Sequence, residues 1–180
     1  HFPVEAGRDV QIRVFMNGLE ASVSSLRVFD TTCTFTAGVN YTFFLYGNAR
    51  GAAVHAKVTV DTLLAAPAGV AFRVIHLGGA GVGNVDVDVV AQAAVAPLTG
   101  TATFAGVAPG AVTGYTTLAV NAAYKAVATA PPATRTPFLF FANAPAGVVG
   151  TTTANPVAGT LVAGTAISAV IVPRPVLASK

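Results

Sequence analysis

Apolar and polar residues alternate with a period of two along most of this chain. Val10, Ile12 and Val14 are separated by Gln11 and Arg13. Val85, Val87 and Val89 are separated by Asp86 and Asp88, with Asn84 ahead of them. Phe72 and Val74 flank Arg73, Ile75 follows, and His76 continues the first row. A β-strand sends successive side chains to opposite faces, so this alternation predicts half-buried strands. Two runs, Thr42-Phe43-Phe44-Leu45-Tyr46 and Ile167 to Val172, are apolar on both faces. They predict strands covered from both sides. Turn signals at Asn17-Gly18, Ala37-Gly38, Gly47-Asn48, Gly78-Gly79, Pro109-Gly110, Pro131-Pro132 and Asn155-Pro156 punctuate the runs. Thr62 to Ala66 and Ala91 to Val95 are Ala-rich enough for a helical turn, and no amphipathic helix is predicted. Many short strands with Gly/Pro turns predict an all-β sandwich.

The pattern also repeats within the chain. Ala37 through Gly47 falls opposite Ala163 through Pro173, and Phe2 to Gly7 opposite Tyr115 to Val120. Val10-Gln11-Ile12-Arg13-Val14 then falls opposite Ala123-Tyr124-Lys125-Ala126-Val127. Residues 72–113 have no counterpart. The expected organisation is two immunoglobulin-like β-sandwich units in tandem, the first lacking its leading strands. An incomplete unit spans 1–61, a small Pro/Gly-punctuated linker 62–71, and a complete unit 72–180 with an inserted hairpin or long loop near 130–160. A β-unit without its first strands presents an open edge and an unfilled interior.

Composition strengthens that expectation. Hydrophobic residues make up 53% of the 180 and charged ones only 9%, against roughly 25% in ordinary soluble domains. So thin a charged skin predicts surface covered by other chains. Ten basic residues against seven acidic ones give a net charge of +3. They are scattered, which excludes the clustered footprint of a nucleic-acid binder. No run reaches the ~18 apolar residues of a membrane helix, so no membrane insertion is expected. Cys33 is the sole cysteine; it leaves no internal disulfide and reads as a small buried hydrophobe. The sequence opens at His1 with neither Met nor a signal peptide, which suggests a processed protein or part of a longer one.

Several segments together resemble a known family. Ala71-Phe72-Arg73-Val74-Ile75-His76, a Gly-rich loop and Asn84-Val85-Asp86-Val87-Asp88-Val89 are similar to the opening of domain-of-unknown-function 4397 proteins. Phe104-Ala105-Gly106-Val107 through Gly114-Tyr115-Thr116-Thr117-Leu118 resembles that family's middle strands. Gly147 to Gly159 and Ala166 to Arg174 resemble its C-terminal region in bacterial members. The resemblance implies a secreted or surface-attached bacterial protein built of β-sandwich repeats, and it implies no chemistry. The first unit departs from the family by lacking the Phe-Arg-Val-Ile-His type of opening.

Candidate chemistry is sparse. Asn84, Asp86 and Asp88 share one strand face, but side chains two apart along a strand lie roughly 6.5–7 Å from each other and do not converge on one ion. They read as a solvent face. Gly78 to Gly83 lacks Gly-x-Gly-x-x-Gly spacing and a following helix, so it reads as a strand connection. His76 reads as a packed or hydrogen-bonded structural histidine, since no nucleophile elbow accompanies it. No catalytic, cofactor-binding or metal-binding residue is predicted. The expected function is that of an extracellular, cell-surface structural subunit, joined to copies of itself by β-strand addition into a filament or pilus-like fibre. The candidate acceptor groove is Val10, Ile12, Val14, Phe43 and Leu45. The candidate donor is either the strand with Phe72, Val74 and Ile75 or the tail with Val176 and Leu177, the latter weakened by Pro173 and Pro175. The alternative is a monomeric surface adhesion or binding module within a longer secreted protein.

Overall fold

The computed structural model describes residues 3–15, 26–48, 53–61, 68–78, 82–95, 98, 100–120, 123–130, 137–151 and 154–172. These residues are all-β, with no helix among them. They divide into two compact units, the first up to residue 61 and the second from residue 68.

Unit 1 contains two separate two-stranded sheets. Strands β1 (Asp9–Phe15) and β2 (Arg27–Thr34) pair antiparallel, with Ile12 opposite Thr31 and Val14 opposite Phe29. Strands β3 (Asn40–Asn48) and β4 (Ala53–Asp61) pair antiparallel in an unbroken register, with Phe43 opposite Val58. β1 follows its sequence pattern: Val10, Ile12 and Val14 are half-buried, and Asp9, Gln11, Arg13 and Phe15 are exposed.

Unit 2 is sandwich-like. One sheet has the order β10-β9-β6-β7 and the other β11-β5-β8. The strands are β5 (Val70–His76), β6 (Val85–Ala91), β7 (Phe104–Val107), β8 (Thr116–Leu118), β9 (Tyr124–Thr129), β10 (Pro137–Asn143) and β11 (Ala166–Ile171). A single core joins the sheets. Phe72 and Val74 of β5 and Ile171 of β11 pack with Val85, Val87 and Val89 of β6, Phe104 and Val107 of β7, and Ala126 and Ala128 of β9. The Phe72 and Phe104 rings lie 6.4 Å apart. β11 runs parallel to β5, pairing Ile167 with Phe72 and Ala169 with Val74, so the apolar rows of both strands face the core.

Three sequence expectations need correction. Val70 and Ala71, assigned to the linker, open β5 and are fully buried; β-branched Val70 extends the apolar strand backwards. Within the expected insert near 130–160, residues 137–143 form strand β10, paired antiparallel with β9. The irregular part follows it, where Val148 and Val157 exchange backbone hydrogen bonds of 2.9 Å. There Gly147 (φ 74°) and Gly159 press backbone on backbone, and a Cβ on Gly159 would lie 2.2 Å from the Gly147 nitrogen.

Asp86 and Asp88, expected to face solvent, are buried at 7% and 5% exposure. β6 is central in its sheet and covered on both faces, a state that acidic alternation does not advertise. Finally, the repeat register places Val10, Ile12 and Val14 opposite Ala123, Lys125 and Val127, whereas Ala126 and Ala128 are the β9 residues facing the core. A slip of one residue reverses every side chain of a strand. Matching Val10, Ile12 and Val14 to Tyr124, Ala126 and Ala128 restores the common face. Residues 173–180, the end of the second unit as read from sequence, lie outside the described residues.

Candidate functional site

The two hairpins of unit 1 turn their apolar rows toward a shared cleft of about 780 Å³. From the first hairpin comes Ile12. From the second come Tyr41, Phe43 and, across the ladder, Val58. Phe35, just past β2, closes one end against Tyr41, with ring centroids 5.0 Å apart at 74°. Phe29 meets Phe43 edge-on at 6.1 Å and ties the hairpins together. Aromatic pairs favour this perpendicular geometry, worth about 0.5–1.5 kcal/mol beyond their buried area.

Polar groups gather on one side. Thr42 Oγ1 donates to Asp61 Oδ2 at 2.6 Å. The Thr36 backbone N–H donates to the Tyr41 hydroxyl at 3.0 Å. Hydrogen bonding from the Thr36 side chain first, and from its backbone second, holds the Tyr41 phenol below its usual pKa. A phenolate accepts these bonds better than a phenol does.

The interior is open rather than packed. Among the described residues of unit 1 only Thr59 is buried, and its Oγ1 has no hydrogen-bond partner. An engineered core cavity of ~150 Å³ already counts as large; this cleft is several times that volume.

The predicted acceptor residues therefore separate. Ile12 and Phe43 line the cleft, while Val10 and Val14 continue the β1 row beside it without lining it. Leu45 is 42% exposed at the far end of β3 and is not a lining residue. Sequence reasoning missed Phe35, Tyr41 and Val58. Tyr41 shares the odd-numbered face of Phe43, and Val54, Ala56, Val58 and Val60 alternate just as β1 does.

The candidate donor strand is corrected by its position. Phe72, Val74 and Ile75 are at most 1% exposed. β5 is hydrogen-bonded to β11 on one side and to β8 on the other. Beyond β8, residues 110–113 continue along that edge through Thr113 N–H to Val74 O at 2.9 Å and His76 N–H to Ala111 O at 2.9 Å. Donating β5 to a neighbour would break both ladders and empty the core of its own unit. Val176 and Leu177 lie outside the described residues.

The polar groups of unit 2 are tied into its framework. His76, fully buried, accepts from Gly78 N–H at Nδ1 and donates from Nε2 to Gly83 O, both at 3.0 Å. It thereby pins both ends of the Gly-rich connection. Asp86 Oδ1 accepts from Gly106 N–H at 2.7 Å. Arg73 Nε donates to Ser168 Oγ at 2.7 Å, and its guanidinium lies 4.9 Å from the Tyr115 ring centre. Cys33 is half-buried on the β1-facing side of unit 1, opposite Val10. Among the described residues no three His, Cys, Asp or Glu side chains gather as metal ligands would, and no helix is long and apolar enough to cross a membrane. No protein-family model matches the chain, and neither curated proteins nor solved structures give a match.

Proposed function

We propose that this chain is an extracellular structural subunit that joins copies of itself by β-strand addition at unit 1, building a filament. Both units are read as immunoglobulin-like, the first short of its leading strands, in keeping with the resemblance to domain-of-unknown-function 4397 proteins. One observation carries the reading: a unit with two two-stranded sheets and an open cleft is followed by a unit whose two sheets close on a filled core. An added strand supplies main-chain hydrogen bonds for affinity and alternate side chains for register. The low charge content supports extensive burial against other chains.

A second reading rests on the cleft chemistry. Phe35, Tyr41 and Phe43 beside Asp61 match, in volume and lining, the ~300–1,000 Å³ pockets that take small ligands. A monomeric surface module would use them to hold a ligand. Negative-stain microscopy with intact mass on the same sample separates the two. Filaments of chains near 18.0 kDa support the polymer, and discrete monomers at any concentration overturn it in favour of the binding module.

A further inference from the structure

Among the described residues one edge of β1 is unpaired, and the sequence repeat gives β1 a counterpart in β9. Strand β9 pairs with β10 on one side and with β6 on the other. Strand β1 pairs with β2 on one side, and among the described residues no strand occupies the other. In the one-residue-corrected register β1 (Asp9–Phe15) aligns in sequence with residues 123–129, the span of β9 and its preceding residue. The position beside β1 that no described strand occupies is therefore the β6 position.

The occupant must satisfy the chemistry of β6. That strand runs antiparallel to β9, turns Val85, Val87 and Val89 to the core, and places Asp86 and Asp88 between them. Strand β1 itself meets the description: Val10, Ile12 and Val14 turn inward, and Gln11 and Arg13 lie between. The pattern of its central run, residues 10–14, is also a palindrome about Ile12. Laid antiparallel on a second copy, Ile12 falls opposite Ile12, Val10 opposite Val14 and Gln11 opposite Arg13. Val10, Ile12 and Val14 then stay on the cleft side, because an antiparallel pair related by a two-fold axis normal to the sheet keeps its faces, and Phe15 falls opposite Asp9 on the other face. Among the described residues the edge carries one irregularity, a register shift between Val14 and Phe15, and residues 10–14 are regular. Asp9 and Arg13 point to the polar face, Arg13 is 3.6 Å from Asp30, and β1 contains no proline.

We infer that β1 of one chain pairs antiparallel with β1 of a second copy about a two-fold axis at Ile12, making a continuous four-stranded sheet in the order β2-β1-β1-β2. This deepens the self-assembly reading and rests on it. It assigns one contact as two-fold, so a filament would need a second contact elsewhere.

The test uses the full chain with Cys33→Ser. Ile12→Cys is expected to oxidise to a disulfide-linked dimer, and the Val60→Cys control on β4 is not. Residue-resolved hydrogen exchange on the Cys33→Ser chain without a new cysteine covers the case in which Ile12→Cys misfolds. Protection of alternate β1 amides is expected to rise with protein concentration. Filaments without the Ile12 cross-link and with unprotected β1 amides would overturn the β1 pairing and leave the polymer standing. A cross-linked dimer that never grows would support the pairing and remove the polymer. A chain that stays monomeric, without cross-link or protection, overturns both.

Discussion

Unit 1 and unit 2 use the same alternation of β-branched and polar residues, yet only unit 2 closes over its interior. In unit 2, Val85, Val87 and Val89 meet Phe72 and Val74 from the facing sheet, and Phe72 is 1% exposed. In unit 1, Val10, Ile12 and Val14 stop at half-burial, and Phe15, Leu45 and Val60 are 48%, 42% and 46% exposed. The difference lies in strand count and not in side-chain quality. Among the described residues, unit 2 brings seven strands in two sheets, and unit 1 brings four in two separate pairs. Isolated two-stranded hairpins are marginal in water, and three or more strands with a covered face are needed for independent stability. Apolar patterning is thus necessary for a core, but a core also needs enough strands to surround it.

Core truncation should break this comparison most sharply. Phe72→Ala is expected to destabilise unit 2 by about 3–5 kcal/mol, the range for deleting a buried Phe. Phe43→Ala in unit 1 is expected to cost only about 1 kcal/mol, because its ring is half-buried. Denaturant unfolding followed by hydrogen exchange in each unit checks this; equal costs would mean that unit 1 has a filled core after all.

The histidine pin comes next. A Cβ on Gly78 would sit 2.4 Å from His76 Cε1, and the ring is held from both nitrogens, so it cannot swing aside. Gly78→Ala is expected to cost unit 2 about 1–3 kcal/mol through overpacking. His76→Ala strands Gly78 N–H and Gly83 O, at about 1–3 kcal/mol for each buried group left unpaired. Thermal melts should show both losses in unit 2 and none in unit 1.

Surface charge is expected to matter least to stability. Asp30 accepts from Arg27 Nη1 at 2.6 Å and from Gln11 Nε2 at 3.0 Å, near the exposed face of the first hairpin. Asp30→Ala should cost unit 1 only about 0.2–1 kcal/mol, and high salt should erase most of it. Tyr41 offers a probe without a stability change. Its phenol should ionise at lower pH than an ordinary tyrosine, and Thr36→Val, which removes the hydroxyl donor and keeps the backbone one, should move the midpoint upward. Ultraviolet titration of the two chains reads this, and identical curves would exclude the Thr36 hydroxyl as the cause.

The all-β class and most strands were legible in the sequence because period-two alternation is a local property. Val10 to Val14 and Val85 to Val89 show it directly. What alternation could not show is the cover on the second face. Asp86 and Asp88 read as solvent-facing because a polar row looks the same in sequence whether it meets water or the Gly106 N–H. The one-residue error in the repeat arose from a register with few identities: it set charged Lys125 opposite Ile12, although Ala126 is the residue that faces the core. Candidate site residues divided likewise. Ile12 and Phe43 were found from their rows, and Val58 stands in an equally legible row that was passed over, whereas Phe35 lies just past the end of β2, beyond the strand's own alternation.

The parallel pairing of β5 with β11 also has a mechanical consequence. Tension pulling Val70 one way and Ile171 the other acts along both strands, since the start of β5 and the end of β11 lie at opposite ends of the ladder. All six Cα partner pairs from Ala71–Ala166 to His76–Ile171 are then sheared together rather than unzipped one at a time. Force spread over every rung at once must rise high before any rung parts, so a pull through the ends of unit 2 meets its most resistant direction.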